Sequence, residues 1–516
     1  MNEWASGYVS DVEYLPGLYV DQTPAHIALA CLVNGFAPPE TGAGHTYCEL
    51  GCGQGVTANI IAASNPDAQV VAIDFNPAHI ARARAAAKAA KLENIQFLEL
   101  SFEEMNARDD LPDFDLVTMH GVWSWISDEG RRHITHFLNR RLKPGGAALV
   151  TYNAMPGWTA LLPVQKLLAE SAQFMQGRSD ERVMQGLALV EALQKAGAGT
   201  LGDAKLLSSI RDGKGAESDR AVYLAHEYLN SEWKPLYHID TARLLADAKL
   251  RYVGATGLLQ NFPDLSLRPE HREALERVPA GPLRETLKDY LVTRAFRRDL
   301  FVRGPRTVPD AVRDRELSGY GLALMVPRSE AKTKMDVPAG TAELPKAHYE
   351  PIFDALAQGP RTLADLHAIA MRAKPEGAPS LVEIAGVLVG TAQATPIPPG
   401  AFGRISASAQ LFNIASTQEV AEQRTATASI SLPVTGSGMT LQTMEASVFH
   451  AVATGTPPEP GPVTDVIIRR LKAAGIPLRL ENRVITEPSE QRAVVAESVE
   501  WCLKERMGLW TSLGAL

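Results

Sequence analysis

The heptapeptide ELGCGQG, residues 49–55, constrains the fold of this chain more than any other segment. Its three glycines alternate behind an acidic residue, between the segment HTYC and the apolar stretch VTANIIAA. Glycine lets the backbone turn sharply and lets a bulky group come closer to the main chain than a Cβ atom would permit. The segment therefore predicts a tight turn that holds a nucleotide-like ligand. Gly53, Gly55 and Ala58 also match the dinucleotide pattern G-x-G-x-x-G/A, so the glycines alone do not identify the ligand.

The chain around this turn alternates between strand-like and helix-like segments. Strands are predicted in HTYCEL, AQVVAIDF, IQFLEL, DFDLVTMHG and GAALVTYNA, and helices in VTANIIAASNP and PAHIARARAAAKAAKL. Strands that alternate with helices form right-handed crossovers, and the resulting parallel sheet is covered on both faces. The predicted fold class is therefore α/β, with a Rossmann-like doubly wound sheet over residues 41–157.

The 516 residues are too many for one hydrophobic core, so several domains are expected. We predict an N-terminal arm or lid over residues 1–40, a helical insertion over 158–230, a mixed middle domain over 231–328 and a winged-helix-like or helical C-terminal domain over 345–516. Before the last, SEAKTKMDVPAGTAELPKAHYE is rich in charge, Pro and Gly and is predicted to be a linker. The amphipathic helices of the insertion must bury their apolar stripes, which predicts a homodimer unless they pack on their own chain.

Composition and charge indicate which classes of protein and which binding partners are expected for this chain. Apolar residues make up 45% of the chain and charged residues 21%, and no segment approaches the roughly 20 apolar residues of a membrane helix. The N-terminal segment MNEWASGYVSDVEYLPG lacks the basic and then apolar pattern of a secretory signal, so a cytoplasmic protein without a membrane partner is expected. A net charge of −8 argues against a nucleic-acid partner, because binding phosphate requires a positive field.

Two local clusters are interpreted as structural. The basic run RAFRRDLFVRGPR, residues 294–306, is predicted to be a solvated helix face whose arginine stems cover apolar surface. The four cysteines are too few and too scattered for a disulfide framework: Cys31, Cys48, Cys52 and Cys502. Cys48 and Cys52 lack further ligands at zinc-site spacing, so we predict packing residues and no metal site.

The residues that end the first two strands narrow the choice of ligand. In dinucleotide folds the strand before the glycines is apolar to its end, whereas here Glu49 closes it. A carboxylate at this position suits a cofactor with an ammonium group, which S-adenosylmethionine has and NAD lacks. Asp74, nineteen residues after Gly55, ends the second strand and can accept both ribose hydroxyls. The alternatives are an exposed strand end for Glu49 and a helix cap before Pro77 for Asp74.

The third strand ends in LELSFEEM, which places Ser101 and Phe102 where the adenine of such a cofactor would lie. Ser101 would supply a polar contact and Phe102 an apolar one. No phosphate-binding side chain occurs at any of these positions. Ahead of the first strand, Tyr14 lies in a segment that is expected to fold over the cofactor, with surface packing of this segment as the alternative.

From Tyr47 to Val150 these motifs resemble the class I S-adenosylmethionine-dependent methyltransferases, with ELGCGQG, the AID strand end, DFDLVTMHG and LKPGG in the same order. Four further segments resemble bacterial methyltransferases with a methyltransferase regulatory domain, a group that includes the rickettsial-type protein-lysine methyltransferases: HGVWSWI, YNAMPGW, YLAHEYLNSEWKPLYHID and FRRDLFVRG. The resemblance implies S-adenosylmethionine as the cofactor and a regulatory-like domain over residues 231–328. The predicted cofactor contacts are Tyr14, Glu49, Gly51, Gly53, Gly55, Asp74, Asn76, Ser101, Phe102 and His120.

The function that this resemblance implies is methylation of lysine side chains in a protein substrate. Methyl transfer from a sulfonium requires alignment of the acceptor and exclusion of water, but no metal. An aromatic pocket would lower the pKa of a lysine by desolvation and would hold cations by cation–π attraction. The predicted acceptor-site residues follow the fourth and fifth strands, whose carboxyl ends open onto the cofactor crevice: His120, Trp123, Tyr152 and Asn153.

Structural roles are the alternative for each acceptor-site residue. Trp123 would be core, His120 a hydrogen-bonding residue, and Tyr152 and Asn153 parts of a turn. For the whole chain, the alternatives are a small-molecule N- or O-methyltransferase and a cofactor-binding regulatory or docking protein with little catalysis. A polar aromatic cluster around Glu227 would line an acceptor channel or form a hydrogen-bond network between domains.

Overall fold

A seven-stranded sheet organises the first three hundred residues. Its strands are β1 Thr46–Leu50, β2 Gln69–Asp74, β3 Ile95–Glu99, β4 Phe114–Met119, β5 Leu142–Asn153, β6 Leu250–Ala255 and β7 Phe296–Arg303. The strand order is β3-β2-β1-β4-β5-β7-β6, with β1 to β5 parallel and β7 antiparallel to both of its neighbours. The predicted Rossmann-like doubly wound sheet is confirmed.

The computed structural model describes residues 7–201, 217–422, 424–475, 478–480 and 483–516. Residues 1–6 of the predicted arm and 202–216 of the predicted helical insertion lie outside the described residues. None of the described helices combines the length and the hydrophobicity that a membrane crossing requires.

Helices cover both faces of the sheet. They are α1 Pro24–Val33, α2 Val56–Ser64, α3 Pro77–Ala89, α4 Phe102–Asn106 and α5 Asp128–Arg141. Side chains alternate between the two faces of a strand, so Tyr47 joins the core beneath α1 and α2, whereas Cys48 joins the core beneath α5. Local capping fixes where these helices begin, because Asn76 caps α3 and Ser127 caps α5. The loops that precede both helices are thereby held at the carboxyl edge of the sheet.

The last two strands come from the predicted middle domain, so the sheet crosses the predicted boundary at residue 157. Helices α9 His238–Ala246, α10 Pro263–Ser266, α11 Pro269–Glu276 and α12 Pro282–Val292 accompany these strands. The interpretation of residues 294–306 as a solvated helix face is wrong, since the segment contains β7. Arg297 is fully buried, and its guanidinium binds Asp289 and Asp299 at 2.6 and 2.8 Å. The two buried carboxylates allow a basic strand to lie inside the sheet.

The described part of the helical insertion packs on its own chain. Its helices are α6 Leu162–Ser171, α7 Ser179–Lys195 and α8 Glu217–Tyr228. Their apolar faces form one cluster with Val9 and Val12 of the N-terminal segment and with Trp158 and Trp233. These contacts correspond to the alternative in which the insertion folds against the monomer. The homodimer stays a prediction.

Two mixed units complete the chain. The first contains α13 Asp310–Ser318, β8 Gly321–Leu324, β9 Lys334–Val337, β10 Gly340–Glu343, α14 Lys346–Ala357, β11 Arg361–Thr362, α15 Leu363–Ala373, α16 Leu381–Gly390 and β12 Ala394–Ile397. The second contains α17 Ala407–Ala421, β13 Thr427–Leu432, β14 Ser437–Gln442, α18 Thr443–Ala453, α19 Pro460–Ala474, β15 Leu478–Leu480, β16 Arg483–Ile485, α20 Pro488–Glu505 and α21 Met507–Ser512. The first unit combines four helices with the antiparallel sheet β11-β8-β12, and the winged-helix-like module stays a prediction. The predicted linker contains the β9–β10 hairpin.

The second mixed unit is attached to the end of α2. The hydroxyl of Ser64 lies 2.6 Å from that of Ser431 and donates to the backbone oxygen of Ser437 at 2.7 Å. The side-chain amide of Asn65 donates to the backbone oxygen of Gly436 at 3.1 Å. The C-terminal unit therefore supports the helix that follows the glycine turn.

Candidate active site

A cavity of about 600 Å³ lies at the carboxyl ends of β1 to β4, within the usual size range of small-molecule sites. Its wall is formed by the glycine turn after β1, by the ends of β2 and β3, by the loop after β4 and by residues of the N-terminal segment. In an open parallel sheet, this edge is where ligands bind.

The glycines of the turn have different roles. Gly53 lines the cavity with a φ of +52°, and a Cβ atom at this position would meet nothing within 4 Å. Gly55, also predicted as a cofactor contact, does not line the cavity. A Cβ atom there would lie 2.6 Å from Ala83 and 2.7 Å from Phe97, so Gly55 permits close packing of α2 on α3 and β3. Gly51 lines the cavity, and its backbone N–H donates to the oxygen of Ile73 at 2.8 Å.

Glu49 presents a carboxylate to the cavity from the end of β1. Its side chain is buried, which corrects the alternative of an exposed strand end. The amide of Gln22 donates to Oε1 of Glu49 at 3.1 Å, whereas Oε2 of Glu49 and Oε1 of Gln22 have no hydrogen-bond partner among the described residues. Burial raises the pKa of Glu49 to about 8. The unpartnered Oε2 of Glu49 at the cavity wall fits a ligand that brings an ammonium group.

Asp74 lines the cavity and holds the glycine turn. Its carboxylate accepts hydrogen bonds from the backbone N–H of Gly53 at 2.8 Å and of Asn76 at 2.9 Å. Asn76, not Asp74, caps α3, because its side chain accepts from the N–H of Ala78 at 2.9 Å. Asn76 was predicted as a cofactor contact but is not part of the cavity wall. Asp74 is therefore both a wall residue and the support of the turn beside it.

Ser101 and Phe102 line the cavity after β3 together with Leu100. Ser101 is also the N-cap of α4, since its hydroxyl accepts from the N–H of Glu104 at 3.2 Å. Val122 lines the cavity from the loop after β4. Apolar parts of the wall therefore come from the ends of β3 and β4, which β2 and β1 separate in the sheet.

His120 follows β4 and lines the cavity. Its ring stacks on Tyr19 with a centroid separation of 3.6 Å, and its Nδ1 has no hydrogen-bond partner among the described residues. Burial lowers the pKa of His120 to about 4. The imidazole is therefore neutral at physiological pH and offers an acceptor or a donor without adding positive charge to the site.

Residues 7–19, which we call the arm, close one side of the cavity with Tyr8, Tyr14 and Tyr19. Burial raises the pKa of both Tyr14 and Tyr19. On the side of α2, Gln54 donates to the backbone oxygen of Tyr14 at 2.8 Å, and Thr57 accepts from the N–H of Tyr19 at 3.1 Å.

The other side of the arm is attached to the helical insertion. Asp11 accepts two hydrogen bonds from Ser179, one from its backbone N–H at 2.8 Å and one from its hydroxyl at 2.6 Å. The N–H of Val9 donates to the side chain of Asn230 at 2.8 Å. The arm therefore bridges the insertion and the sheet across the cavity.

Three predicted acceptor-site residues do not line the cavity. Trp123 is fully buried in the core beneath α5, which is its structural alternative. Tyr152 points into the same core, and its hydroxyl donates to Asp299 at 2.6 Å. The amide of Asn153 donates to Glu227 at 2.9 Å. Period-two alternation along β5 turns Tyr152 away from the crevice, and the loop after β4 buries Trp123.

The cavity wall is rich in acidic side chains. Its five carboxyl groups belong to Glu49, which is mostly protonated at pH 7 before a ligand binds, and to Asp74, Glu103, Glu129 and Glu232. No lysine or arginine occurs among the described residues of the wall. Such a wall disfavours phosphate groups and favours cationic ligands. The described chain also holds no group of three or more His, Cys, Asp or Glu side chains arranged for a metal ion.

Gln22 positions a wall residue, Glu49, and the sequence alone does not predict this role. It ends a single 3-10 turn, Val20–Gln22, and reaches Glu49 only in the folded chain. No local pattern marks it, because its role depends on a contact across 27 residues.

Two family models match this chain. Residues 48–146 match a methyltransferase domain, and residues 220–303 match a predicted methyltransferase regulatory domain. The chain is similar to protein sll1526 of Synechocystis sp., with 35% identity over 363 residues that cover 70% of this chain and 71% of the relative. It is 31% identical over 103 residues to malonyl-[acyl-carrier protein] O-methyltransferase of Paenibacillus sp., which covers 20% of this chain and 37% of that protein. PKMT2 from Rickettsia typhi, solved in complex with AdoHcy, has a similar fold: a TM-score of 0.69 at 18% identity over 95% of this chain and 99% of that one.

Proposed function

This chain belongs to the family of S-adenosylmethionine-dependent methyltransferases that carry a methyltransferase regulatory domain, and we propose that it methylates lysine side chains of a protein substrate. The cofactor is S-adenosylmethionine, as the sequence predicts. The observation that supports the proposal is the cavity wall, which has five carboxyl groups and no described lysine or arginine. A lysine acceptor and the cofactor are both cationic, so the same wall suits both.

Different residues at the cavity would contact different parts of the cofactor. Glu49 would receive the ammonium group with its unpartnered Oε2, while Gln22, which does not line the cavity, holds its Oε1. Gly53 would lie against the cofactor, because a side chain at this position would project into open space. Asp74 would accept the ribose hydroxyls while it keeps its bonds to the turn. Ser101 and Phe102, together with Leu100, would enclose the adenine.

When bound, the cofactor supplies a methyl group on a positively charged sulfur. The chain must then exclude water and present a nitrogen lone pair in line with that methyl group. The arm covers the cavity, and Tyr14, Tyr19 and His120 enclose the end near Glu49. Burial among these rings lowers the cost of removing a proton from a lysine ammonium. A neutral His120 does not repel either cation.

The fold similarity to PKMT2 from Rickettsia typhi and the resemblance to rickettsial-type enzymes support a protein acceptor. The second candidate is O-methylation of a small molecule, because the chain shares 31% identity over 103 residues with a malonyl-[acyl-carrier protein] O-methyltransferase. A malonyl carboxylate would meet the carboxylates of this cavity wall, which disfavours that acceptor. A cationic amine is the better match.

Radiolabelled methyl transfer tests the proposal. The protein is incubated with methyl-labelled S-adenosylmethionine and a heat-treated bacterial lysate, and labelled protein is hydrolysed to amino acids. We expect label in methyllysine. Label in small molecules alone favours a small-molecule enzyme, and no transfer at all favours a regulatory or docking role.

A glycine pair provides the control. Gly53→Leu should abolish labelling, because the new side chain enters the cavity. Gly44→Leu imposes a comparable backbone strain, since Gly44 has a φ of +79° with nothing near its Cβ position, but it is exposed and away from the cavity. Equal loss in both variants would show a folding defect instead of a blocked site. Homodimer formation and a cytoplasmic location stay predictions, which light scattering and cell fractionation would test.

A further inference from the structure

His79 is a buried histidine in the wall of the cavity, and no sequence motif singles it out. It lies in the first turn of α3, after the capping residue Asn76, and it is 4% exposed. Its Nδ1 lies 3.3 Å from Oδ1 of Asp74, whereas its Nε2 is buried and has no hydrogen-bond partner among the described residues. One ring nitrogen is therefore held by the chain, and the other is left for a ligand.

The tautomer of His79 follows from its partner. An ionised carboxylate only accepts hydrogen bonds, so Nδ1 carries the proton and donates to Asp74. The neutral ring then presents Nε2 as an acceptor. A buried acceptor without a donor is costly for the folded state, and a ligand hydroxyl that donates to Nε2 would remove this cost.

Asp74 has fewer free acceptor sites than its position at a strand end indicates. Its Oδ1 accepts from the N–H of Asn76 at 2.9 Å and from His79, and its Oδ2 accepts from the N–H of Gly53 at 2.8 Å. A carboxylate has about four lone-pair sites, so about one remains, on Oδ2. A ribose has two adjacent hydroxyls. Asp74 can therefore accept from one of them while it keeps its bonds to the glycine turn and to α3.

His79 offers a second acceptor beside Asp74. Both ring nitrogens belong to one imidazole, so Nε2 lies within one ring width of the nitrogen that contacts Asp74. Phe75, which follows Asp74, and Tyr8 of the arm also line the cavity, and their rings meet edge to face at 5.8 Å. These aromatic rings help to exclude water from the end of β2, where hydrogen bonds are correspondingly stronger.

We propose that two acceptors hold the ribose of the cofactor: Asp74 binds one hydroxyl through Oδ2, and His79 binds the other through Nε2. The inference rests on S-adenosylmethionine as the cofactor and is independent of the group that accepts the methyl. His79 is thus a cofactor-binding residue, and it refines the assignment of both ribose hydroxyls to Asp74. A ligand that lacks either hydroxyl loses one of two separate anchors.

The test is a cycle of variants and ligands, measured by calorimetry at pH 8.5, which favours the neutral form of histidine. The ligands are S-adenosylhomocysteine and its 2′-deoxy and 3′-deoxy analogues. The variant His79→Asn removes Nε2, while its amide nitrogen can replace Nδ1 as the donor to Asp74.

His45→Asn is the matched control. His45 is 3% exposed, its Nδ1 lies 2.8 Å from the backbone oxygen of Gly42, and its Nε2 has no partner within the described part of the chain. It precedes β1, at the opposite edge of the sheet, and does not line the cavity.

Removing either hydroxyl should weaken binding to the wild type by about tenfold, as expected for one hydrogen bond. His79→Asn should bind S-adenosylhomocysteine about tenfold more weakly than the wild type does. One of the two analogues should bind to His79→Asn as tightly as S-adenosylhomocysteine does, because its missing hydroxyl has no partner there. The other analogue should still bind about tenfold more weakly. His45→Asn should match the wild type with all three ligands.

Nitrogen-15 NMR of the wild type provides a readout that needs no substitution. The resonance of Nε2 of His79 should shift when S-adenosylhomocysteine binds, because the nitrogen then accepts a hydrogen bond. It should stay near its ligand-free position with one of the two analogues only. If His79→Asn does not fold, this measurement decides.

The outcomes separate the two proposals. If both analogues lose the same factor with His79→Asn as with the wild type, the assignment of His79 is wrong and the proposed lysine methylation stands. If the cycle shows the expected coupling but no methyllysine forms, the proposed function fails and the role of His79 stands. If the wild type does not bind S-adenosylhomocysteine, both fail.

Discussion

Replacing Glu49 with Gln should stabilise the cofactor-free protein and weaken cofactor binding. The pKa of this carboxyl group rises from 4.5 to about 8 on burial. Because the folded pKa is the higher one, the folded state binds more protons between these values, and stability falls as pH rises through that window. The cost is about 3 kcal/mol at pH 7 and approaches about 5 kcal/mol above pH 8, at roughly 1.4 kcal/mol for each tenfold change in proton affinity.

Glu49→Gln removes this cost and keeps an oxygen for the amide of Gln22. Thermal unfolding of cofactor-free protein should therefore show a higher midpoint for the variant at pH 8.5, with a much smaller difference at pH 5. S-adenosylhomocysteine at a hundred times its Kd should raise the free energy of unfolding of the wild type by about 2.7 kcal/mol and so raise its midpoint. The same concentration should raise the midpoint of the variant far less.

Proton release gives an independent check of the same reasoning. If the ligand's ammonium group ionises Glu49, binding at pH 7 should release about 0.9 proton from this side chain, which calorimetry in buffers of different ionisation enthalpy would detect. Glu49→Gln should release none from this site. The reasoning is refuted if the variant binds S-adenosylhomocysteine as tightly as the wild type and unfolds at the same or a lower temperature at pH 8.5.

Other substitutions separate cavity residues from framework residues. Tyr152→Phe should keep methyl transfer within twofold and lower stability by about 1–3 kcal/mol in urea titrations, because its hydroxyl bonds buried Asp299; a tenfold loss of turnover would contradict this. Arg297→Met removes the guanidinium that binds two buried aspartates, of which Asp289 keeps Arg294 at 3.4 Å and Asp299 keeps His238 at 2.8 Å, and it should destabilise the protein by about 3–5 kcal/mol in the same assay. His120→Ala removes the ring stacked on Tyr19 and should lower turnover by about two- to tenfold. Since burial lowers the pKa of His120 to about 4, the shape of the rate profile between pH 6 and 9 should be the same in this variant.

Local sequence predicts the glycine turn, the parallel strands and the cofactor because each depends on neighbouring residues. Alternating glycines imply a tight turn, and strands alternating with helices imply a parallel sheet. Glu49 and Asp74 follow from their places at strand ends, and both line the cavity. Gly55 fits the same motif, yet it contacts α3 and β3 instead of the cavity.

Distant contacts decide what the sequence does not predict. Both faces of β5 are buried, so composition does not indicate which side chain faces the crevice, and Tyr152 faces away. A basic run predicts a solvated surface unless carboxylates from elsewhere neutralise it, as they do for Arg297. Gln22 gains its partner only across 27 residues of chain.

The attachment of the arm has a consequence for synthesis on the ribosome. The hydrogen bond from Val9 to Asn230 joins residues 221 positions apart. At 5–20 residues per second, the arm emerges about 10 to 45 s before its anchor on the far side of the cavity is made. During that interval the tyrosines of the arm have one anchoring surface, on α2, and lack the other. A nascent chain would thus contain the five parallel strands before the helical insertion completes the enclosure of the cavity, and only afterwards would it add β6 and β7 to the sheet.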